Sequence, residues 1–484
     1  MKQLVWLPAI LISLVLLCIS CRKWLVVQPS AEPTSTVQFS SEAGFQEALT
    51  GIYMQLNDSS LYGRALSYGA LEFLMNSWDV AAESTEQKLG AWAFKDPGVA
   101  AVFEQIFKKQ YTVIAGVNEI LTYIDQQQQV FVTKGMYETI KAECLAIRAH
   151  CHFDLLRLFG PAPARAAGAT VLPYATVVST NRQPYLLYEA FTAAILRDLD
   201  AAAALGKTTD PFVRYAQWQL AGTPGAAGPE PGWNGYFNAR FIRMNYYAVK
   251  GLQARVYLWL NNKPQALTCA KEVIEATNVD GQPKFPLGTA ANYMAGDMNL
   301  FFEQLFGIWD AGIDSRYNRE FELGLLRKGA SDAMVATSLY DDVGADIRKK
   351  WLWMSVQVTG GQTAYVLRKY GSVAQPGIGG MGRLMIPLFR VSEMYLVAAE
   401  TAMPDEAAEY WNRYRAARDL PAAALPEETE KKLMIAKEYH REFFGEGQSF
   451  YAYKRINAPH AGIIWASLAG NDDYQVPVPV AELR

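Results

Sequence analysis

NYYAVKGLQARVYLWLNNKPQALTCAKEVIEA, residues 245–276, holds two apolar runs of helical period separated by a break at Asn261 to Pro264. Pro264 suits the first turn of the second helix, where its missing N–H has no intrahelical partner to lose. The small residues Gly251, Ala254, Ala266 and Ala270 would let the two helices lie close together. Such a pair is the unit of a tetratricopeptide-type array, which buries its apolar face only against a neighbouring pair. RVSEMYLVAAETAMPDEAAEYWNRYRAAR, residues 390–418, has the same form, with its break at Met403 to Asp405. The pairs recur without a strict period. The expectation is a mainly α fold, a tetratricopeptide-like helix-pair scaffold with long irregular insertions and a few short strands, and no simple solenoid.

Helical patterning continues toward the N-terminus. FQEALTGIYMQL (45–56) places Ala48, Ile52 and Leu56 on one stripe, and a long helix is expected from about Val99 to Asp125. KAECLAIRAHCHFDLLRLFGPAP (141–163) ends on Gly160 and Pro161, a helix stop followed by a breaker. YEAFTAAILRDLDAAAAL (188–205) makes another helix. The insertions are visible as changes of composition, roughly at 60–100, 206–238 and 286–387. LAGTPGAAGPEPGWNGYFN (220–238) is a Gly/Pro loop carrying Trp233 and Tyr236, and QPGIGGMG (375–382) is a second glycine-rich loop. KKWLWMSVQV (349–358) and TAYVLRKY (363–370) read as strands. Insertions of this length in a compact protein are where function concentrates.

At the N-terminus, the apolar run from Leu4 to Ile19 is shorter than the ~20 residues that span a bilayer. It reads as the core of a signal peptide over 1–20. Ser20 followed by Cys21 resembles a lipobox, in which the cysteine is acylated and becomes the first mature residue; Cys18 departs from the usual leucine there. The mature chain, 21–484, would form a single domain held at the membrane by its N-terminal lipid, with no spanning helix.

Of the 484 residues, 51% are hydrophobic and 19% charged, which supports a large core and excludes disorder. A net charge of -3 with no run of Lys or Arg gives nothing to grip nucleic acid. Cys144 and Cys151 lie too far apart along one helix for a disulfide and, with Cys269, read as small buried hydrophobes. His150 and His152 point apart, and no metal or cofactor motif is present. Aromatic residues make up 12% of the chain, with 12 Trp and 26 Tyr, more than a helical core needs. Some of these rings are expected to face a ligand.

SCRKWLVVQP (20–29), IRAHCHFDLLRLFGPAP (147–163), FRVSEMYLVAAETA (389–402), YHREFFGEGQSFYAYKR (439–455) and YQVPVPVAEL (474–483) together resemble, in order and spacing, the SusD/RagB family of nutrient-uptake lipoproteins. The resemblance implies an outer-membrane, lipid-anchored protein facing the cell surface, without catalytic activity or cofactor. It also implies a SusC-like TonB-dependent β-barrel transporter as partner. Val26 stands where many relatives carry an acidic residue, which separates this chain from the starch-binding members and leaves the ligand open.

Ligand contacts are expected in the irregular segments, where a flat ring can stack on the apolar face of a sugar while Asp, Asn or Arg meets its hydroxyls. MNSWDVAAES (75–84) offers Asn76, Trp78 and Asp79, and FGIWDAGIDSRYNREF (306–321) offers Trp309, Asp310, Arg316, Tyr317 and Asn318. Trp92, Trp353, Trp233 and Tyr365 are further candidates. Arg441, Glu442 and Glu446 read as a solvated face or an ion-pair network, and Arg148 and Arg157 as interhelical charge anchors. The leading function is capture of an oligosaccharide. The alternatives are capture of peptides and, with Asp310 and Asp314 as carboxylates, a secreted hydrolase, for which no GxSxG motif is present.

Overall fold

The computed structural model describes residues 35–179, 181–221, 228–324, 326–329, 334–341, 343–358, 362–371, 382, 384–465 and 474–480. The fold is mainly α. Its longer helices are α1 (Glu42–Leu56), α2 (Pro97–Ile124), α3 (Met136–Phe159), α4 (Tyr188–Thr209), α5 (Tyr246–Trp259), α6 (Lys263–Ile274), α7 (Val391–Thr401), α8 (Pro404–Ala417), α9 (Glu428–Glu442) and α10 (Ser449–Arg455). From α1 to α8 each of these packs on the next in chain order. The stacking is therefore more array-like than the irregular spacing suggested, with the link from α6 to α7 enlarged into the insertion that runs from Glu275 to Arg390.

Local chemistry sets the helix starts. Ser41 Oγ accepts the Gly44 N–H at the head of α1 (3.2 Å), and Asp96 caps α2 by accepting from Gly98 (2.9 Å). Asn245 and Asn262 cap α5 and α6, with Pro264 in the first turn of α6. Gly251 serves a different purpose from the one its sequence context suggests. A Cβ there would stand 2.9 Å from Leu305, a strand residue of the insertion. The glycine thus admits the insertion and not its partner helix α6.

α3 is buried on nearly every side, and its polar residues are matched within the core. Arg148 makes a two-pronged pair with Asp198 of α4, both contacts at 2.7 Å. Arg157 takes Asp154 of its own helix and lies 3.8 Å from the centre of the Tyr451 ring, so it reaches α10 through an aromatic face. Arg255 joins α5 to Glu393 of α7, and Arg455 joins α10 to Glu400. Cys144, Cys151 and Cys269 are free and buried. Burial also lowers the imidazoles of His150 and His152, to about 4 and about 3.

The strands are β1 (Thr170–Pro173), β2 (Tyr185–Leu187), β3 (Gln304–Trp309), β4 (Arg327–Lys328), β5 (Trp353–Val358), β6 (Gln362–Leu367) and β7 (Met385–Arg390). β1 and β2 form a small hairpin, β3 pairs antiparallel with β7, and β4, β6 and β5 make an antiparallel sheet. The expected strand at 349–358 starts only at Trp353. Ile347–Leu352 is a helical turn because Asp346 caps it, accepting the Arg348 N–H at 2.9 Å.

The roots of this insertion are tied to the scaffold by buried charge. Arg390, at the end of β7, contacts Glu303 (2.8 Å), Glu442 (2.7 Å) and Glu446 (2.9 Å). Arg418 contacts the same Glu303 (2.9 Å) and Glu442 (2.7 Å), while Arg348 reaches Glu438 (2.6 Å) and Glu442 (3.1 Å). Lys369 closes on Glu446. Burial pushes the Glu442 carboxyl up, but the Arg418 and Arg390 guanidiniums outweigh it and hold the group well below the carboxylate range. Glu442 and Glu446 therefore belong to an ion-pair network sealed in the core, and the solvated-face reading does not apply to them. Arg441 is half-buried at the network's edge, on Glu438 and Asp341.

Candidate functional site

The two candidate segments meet, and most of their rings meet inside the protein. Trp78 is 2% exposed, donates its indole N–H to the Tyr68 carbonyl at 2.9 Å, and is set edge-on against Phe321 and Phe444. Tyr317 is buried and stacks on the same Phe321, with ring centres 5.1 Å apart. Trp353 contacts Phe444 and donates to the Tyr340 hydroxyl at 3.3 Å. Trp92 sits in a neighbouring cluster with Phe94, Phe450, His460 and Tyr474, its N–H given to the Leu74 carbonyl. The faces of these rings are covered by other side chains and present no stacking surface.

Asn76 and Asp79 are engaged with the insertion. Lys328 of β4 donates to the Asn76 carbonyl (2.8 Å) and to Asp79 Oδ1 (3.0 Å), with its ammonium 4.4 Å from the centre of the Trp465 ring. Asp79 Oδ2 accepts the Gly329 N–H, and the Asn76 side-chain amide donates to the Gly90 carbonyl at 3.3 Å. Asp79 stays exposed at the surface.

Trp309 differs from the others. It ends β3, paired across from Met385 of β7, and is 50% exposed while the five residues before it are buried. Strand alternation turns the following Asp310 inward, where Oδ1 accepts from Arg316 (2.5 Å) and from the Gly312 N–H (2.9 Å). Arg316 continues to the Gly63 carbonyl at 3.2 Å, joining the insertion to the loop that leaves α1. A second bridge runs beside it, from Arg64 Nε to Glu320 Oε2 (2.5 Å), with Arg319 on the other oxygen (3.3 Å). Asn318, between Arg316 and Glu320 in the chain, is exposed. The segment from Trp309 to Glu320 thus has Trp309 and Asn318 exposed, Asp310 buried beneath, and Arg316 and Glu320 tied to Gly63 and Arg64 of the loop after α1. The sequence signal for Arg64 was weak, a lone arginine after Gly63 in a loop without a pattern.

The arrangement suits binding of a polar ring compound. The segment joins one exposed indole to the donors Arg316, Asn318 and Arg319, with ion pairs to Asp310 and Glu320 and the Tyr317–Phe321 stack holding its backbone. Among the described residues, no group of three or more His, Cys, Asp or Glu is placed to hold a metal ion, and no helix is long and apolar enough to cross a membrane. Cys21 lies outside the described residues.

A family model described as starch-binding and associating with the outer membrane matches residues 23–208, and the model of the SusD family matches residues 342–483. The two matches together span more than half of the chain, the first over the N-terminal scaffold and the second from within the main insertion through the C-terminal helices. The chain belongs to the SusD/RagB family. A SusD-like protein of Formosa agariphila is 27% identical over 162 residues, 31% of this chain and 30% of that protein, so the match spans less than a third of the relative's length. Among solved structures, a SusD homolog from Bacteroides thetaiotaomicron matches with a TM-score of 0.68 at 16% identity, over 94% of this chain and 97% of that one. A structure described as a putative sugar-binding protein from Bacteroides vulgatus matches with a TM-score of 0.65 at 21% identity, over 92% and 96%. One described as a laminarin-binding SusD-like protein matches at 0.62 and 17%, over 92% and 98%. These likenesses show a shared SusD fold.

Proposed function

We propose that this SusD/RagB-family chain is a non-catalytic surface lipoprotein that captures an oligosaccharide on the Trp309 surface and hands it to a SusC-like TonB-dependent β-barrel transporter. The carrying observation is Trp309 itself, a half-exposed indole at the end of β3, followed in the chain by the Asp310–Arg316 bridge. A sugar stacks its apolar face on such a ring and gives its hydroxyls to the flanking polar groups. Binding is favoured over hydrolysis because Asp310, one of the two carboxylates the hydrolase reading needs, is buried and engaged by Arg316. The family model's description as starch-binding and outer-membrane-associating, and the laminarin-binding neighbour, support the same reading. The Ser20–Cys21 pair supports lipid anchoring in the outer membrane, facing the cell surface.

The test is calorimetric titration of the chain lacking residues 1–21 with a panel of neutral oligosaccharides and of peptides. Saturable binding of an oligosaccharide that weakens in Trp309→Ala is expected. Binding of peptides alone would replace the sugar reading with peptide capture, and release of reducing sugar would replace it with hydrolysis.

A further inference from the structure

We infer that the cleft around Trp233 is a second carbohydrate subsite, placed so that one long glycan is held at both ends of α1. The inference rests on the carbohydrate reading of the Trp309 surface. The cleft has a volume of about 540 Å³ and is walled by three separate pieces of chain, around Lys134, around Thr209 and around Trp233. The Trp233 ring is fixed. Its N–H donates to Asn238 Oδ1 at 2.7 Å, and the ring packs against Tyr215 at 90° and 5.9 Å and against Phe237 at 5.4 Å.

Six charged side chains line the same cleft: Lys134, Glu138, Lys207, Asp210, Arg214 and Glu230. Asp210 is taken by Arg240 at 2.6 Å, and the other five make no ion pair among the described residues, although Arg214 lies over the Tyr215 ring at 6.0 Å. A fixed indole beside a set of uncommitted donors and acceptors has the composition that recognises a sugar.

α1 relates this cleft to the Trp309 surface. Glu42, in the first turn of α1, accepts the N–H groups of Val132 and Thr133 (2.8 Å each) and the side-chain amide of Asn234 (3.2 Å), so it holds two walls of the cleft. At the other end of α1, the loop carrying Gly63 and Arg64 meets Arg316 and Glu320. The helix has 15 residues, a span of about 22 Å at 1.5 Å per residue. Its residues Ala43, Glu47, Thr50 and Met54 form an exposed stripe from one end to the other. A glycan long enough to follow that stripe gains its second contact as an intramolecular event, which raises affinity by on the order of a hundredfold over either site alone.

The experiment titrates the chain lacking residues 1–21 with the disaccharide and the polymer of α-glucan, β-glucan, xylan and mannan. The variants are Trp233→Ala and the surface pair Lys207→Ala with Arg214→Ala. The expected result is at least one polymer bound far more tightly than its disaccharide, with each variant losing about tenfold or more of the polymer affinity. Polymer binding at wild-type strength in the surface pair and in a folded Trp233→Ala overturns the inference and leaves the Trp309 reading intact. Should Trp233→Ala melt far below wild type, the surface pair alone decides. A wild-type chain that binds no member of the panel overturns the carbohydrate reading and this inference with it.

Discussion

Replacing Trp309 by alanine removes a ring that is half in solvent, and the size of the effect can be worked from that exposure. A tryptophan side chain offers about 150–250 Å², so 50% exposure leaves roughly 100 Å² available to a ligand. A sugar covering one face would hide about half of this and a similar area of its own. At about 25 cal/mol per Å² the stacked contact then contributes about 2.5 kcal/mol, or roughly 60-fold in Kd. The covered half of the ring is worth at most about 2.5 kcal/mol of folding stability by the same conversion, less than truncation of a fully buried indole that leaves a cavity. Trp78→Ala provides the contrast. That ring is 2% exposed and wedged between Phe321 and Phe444, so its truncation should cost about 3–5 kcal/mol of stability. Calorimetric titration and urea unfolding of both variants separate the two behaviours. An unchanged Kd in Trp309→Ala, or an unfolding midpoint lowered as far as in Trp78→Ala, would refute the assignment of Trp309 to a binding surface.

Three further outcomes follow from other parts of the molecule. Glu442→Gln should destabilise the protein by about 3–5 kcal/mol in urea unfolding, because Arg390, Arg418 and Arg348 lose a shared buried counter-charge; a change under about 1 kcal/mol would show that the network does not stabilise the fold through that carboxylate. Burial pushes the Glu72 carboxyl up from 4.5 to about 7 against hydrogen bonds from Ser77 and the Gly447 and Gly445 amides, so the stability it contributes is full below the unfolded value and is lost as pH rises through about 7. The stability difference between wild type and Glu72→Gln should therefore shrink by about 3 kcal/mol from acid to neutral pH, and a difference constant with pH would show that Glu72 titrates normally. Cys21→Ala should leave the protein unacylated and out of the membrane fraction while Cys18→Ala stays in it, and equal retention of the two would rule out Cys21 as the lipid site.

The helices were legible because their information is local. Asn245, Asn262 and Pro264 mark where α5 and α6 begin whatever lies around them, and apolar period marks their buried faces. α3 was legible as a helix and illegible as a packed object. Its buried set includes Glu143, Arg148, His150, Asp154 and Arg157, and their partners Arg240, Asp198, Tyr62 and Tyr451 lie far away in sequence. The same limit applies to Glu442. A carboxylate on a charged helix looks like solvent-facing chemistry until Arg390 and Arg418 arrive from other elements.

Ring exposure was hidden for a related reason. A high aromatic content raises the expectation of ligand-facing rings, yet this scaffold uses rings as packing partners for guanidiniums and for one another. Arg157 lies on Tyr451, Arg255 on Phe389, and Arg390 on Phe443. Trp78 and Trp309 look equivalent in sequence, each an indole followed by aspartate in an irregular segment. What separates them is pairing. Trp309 closes a strand whose partner β7 fixes which side of the chain faces outward, and the Asp310–Arg316 bridge to Gly63 holds that turn in place. Trp78 has no strand beside it, and its N–H is drawn inward by the Tyr68 carbonyl. The aspartates divide in the opposite sense, with Asp79 outside on Lys328 and Asp310 inside on Arg316. The residues before Trp309 are buried on both faces of β3, so alternation alone does not expose the indole; cover on its face ends at Trp309 while Asp310 turns inward onto Arg316 and the Gly312 N–H.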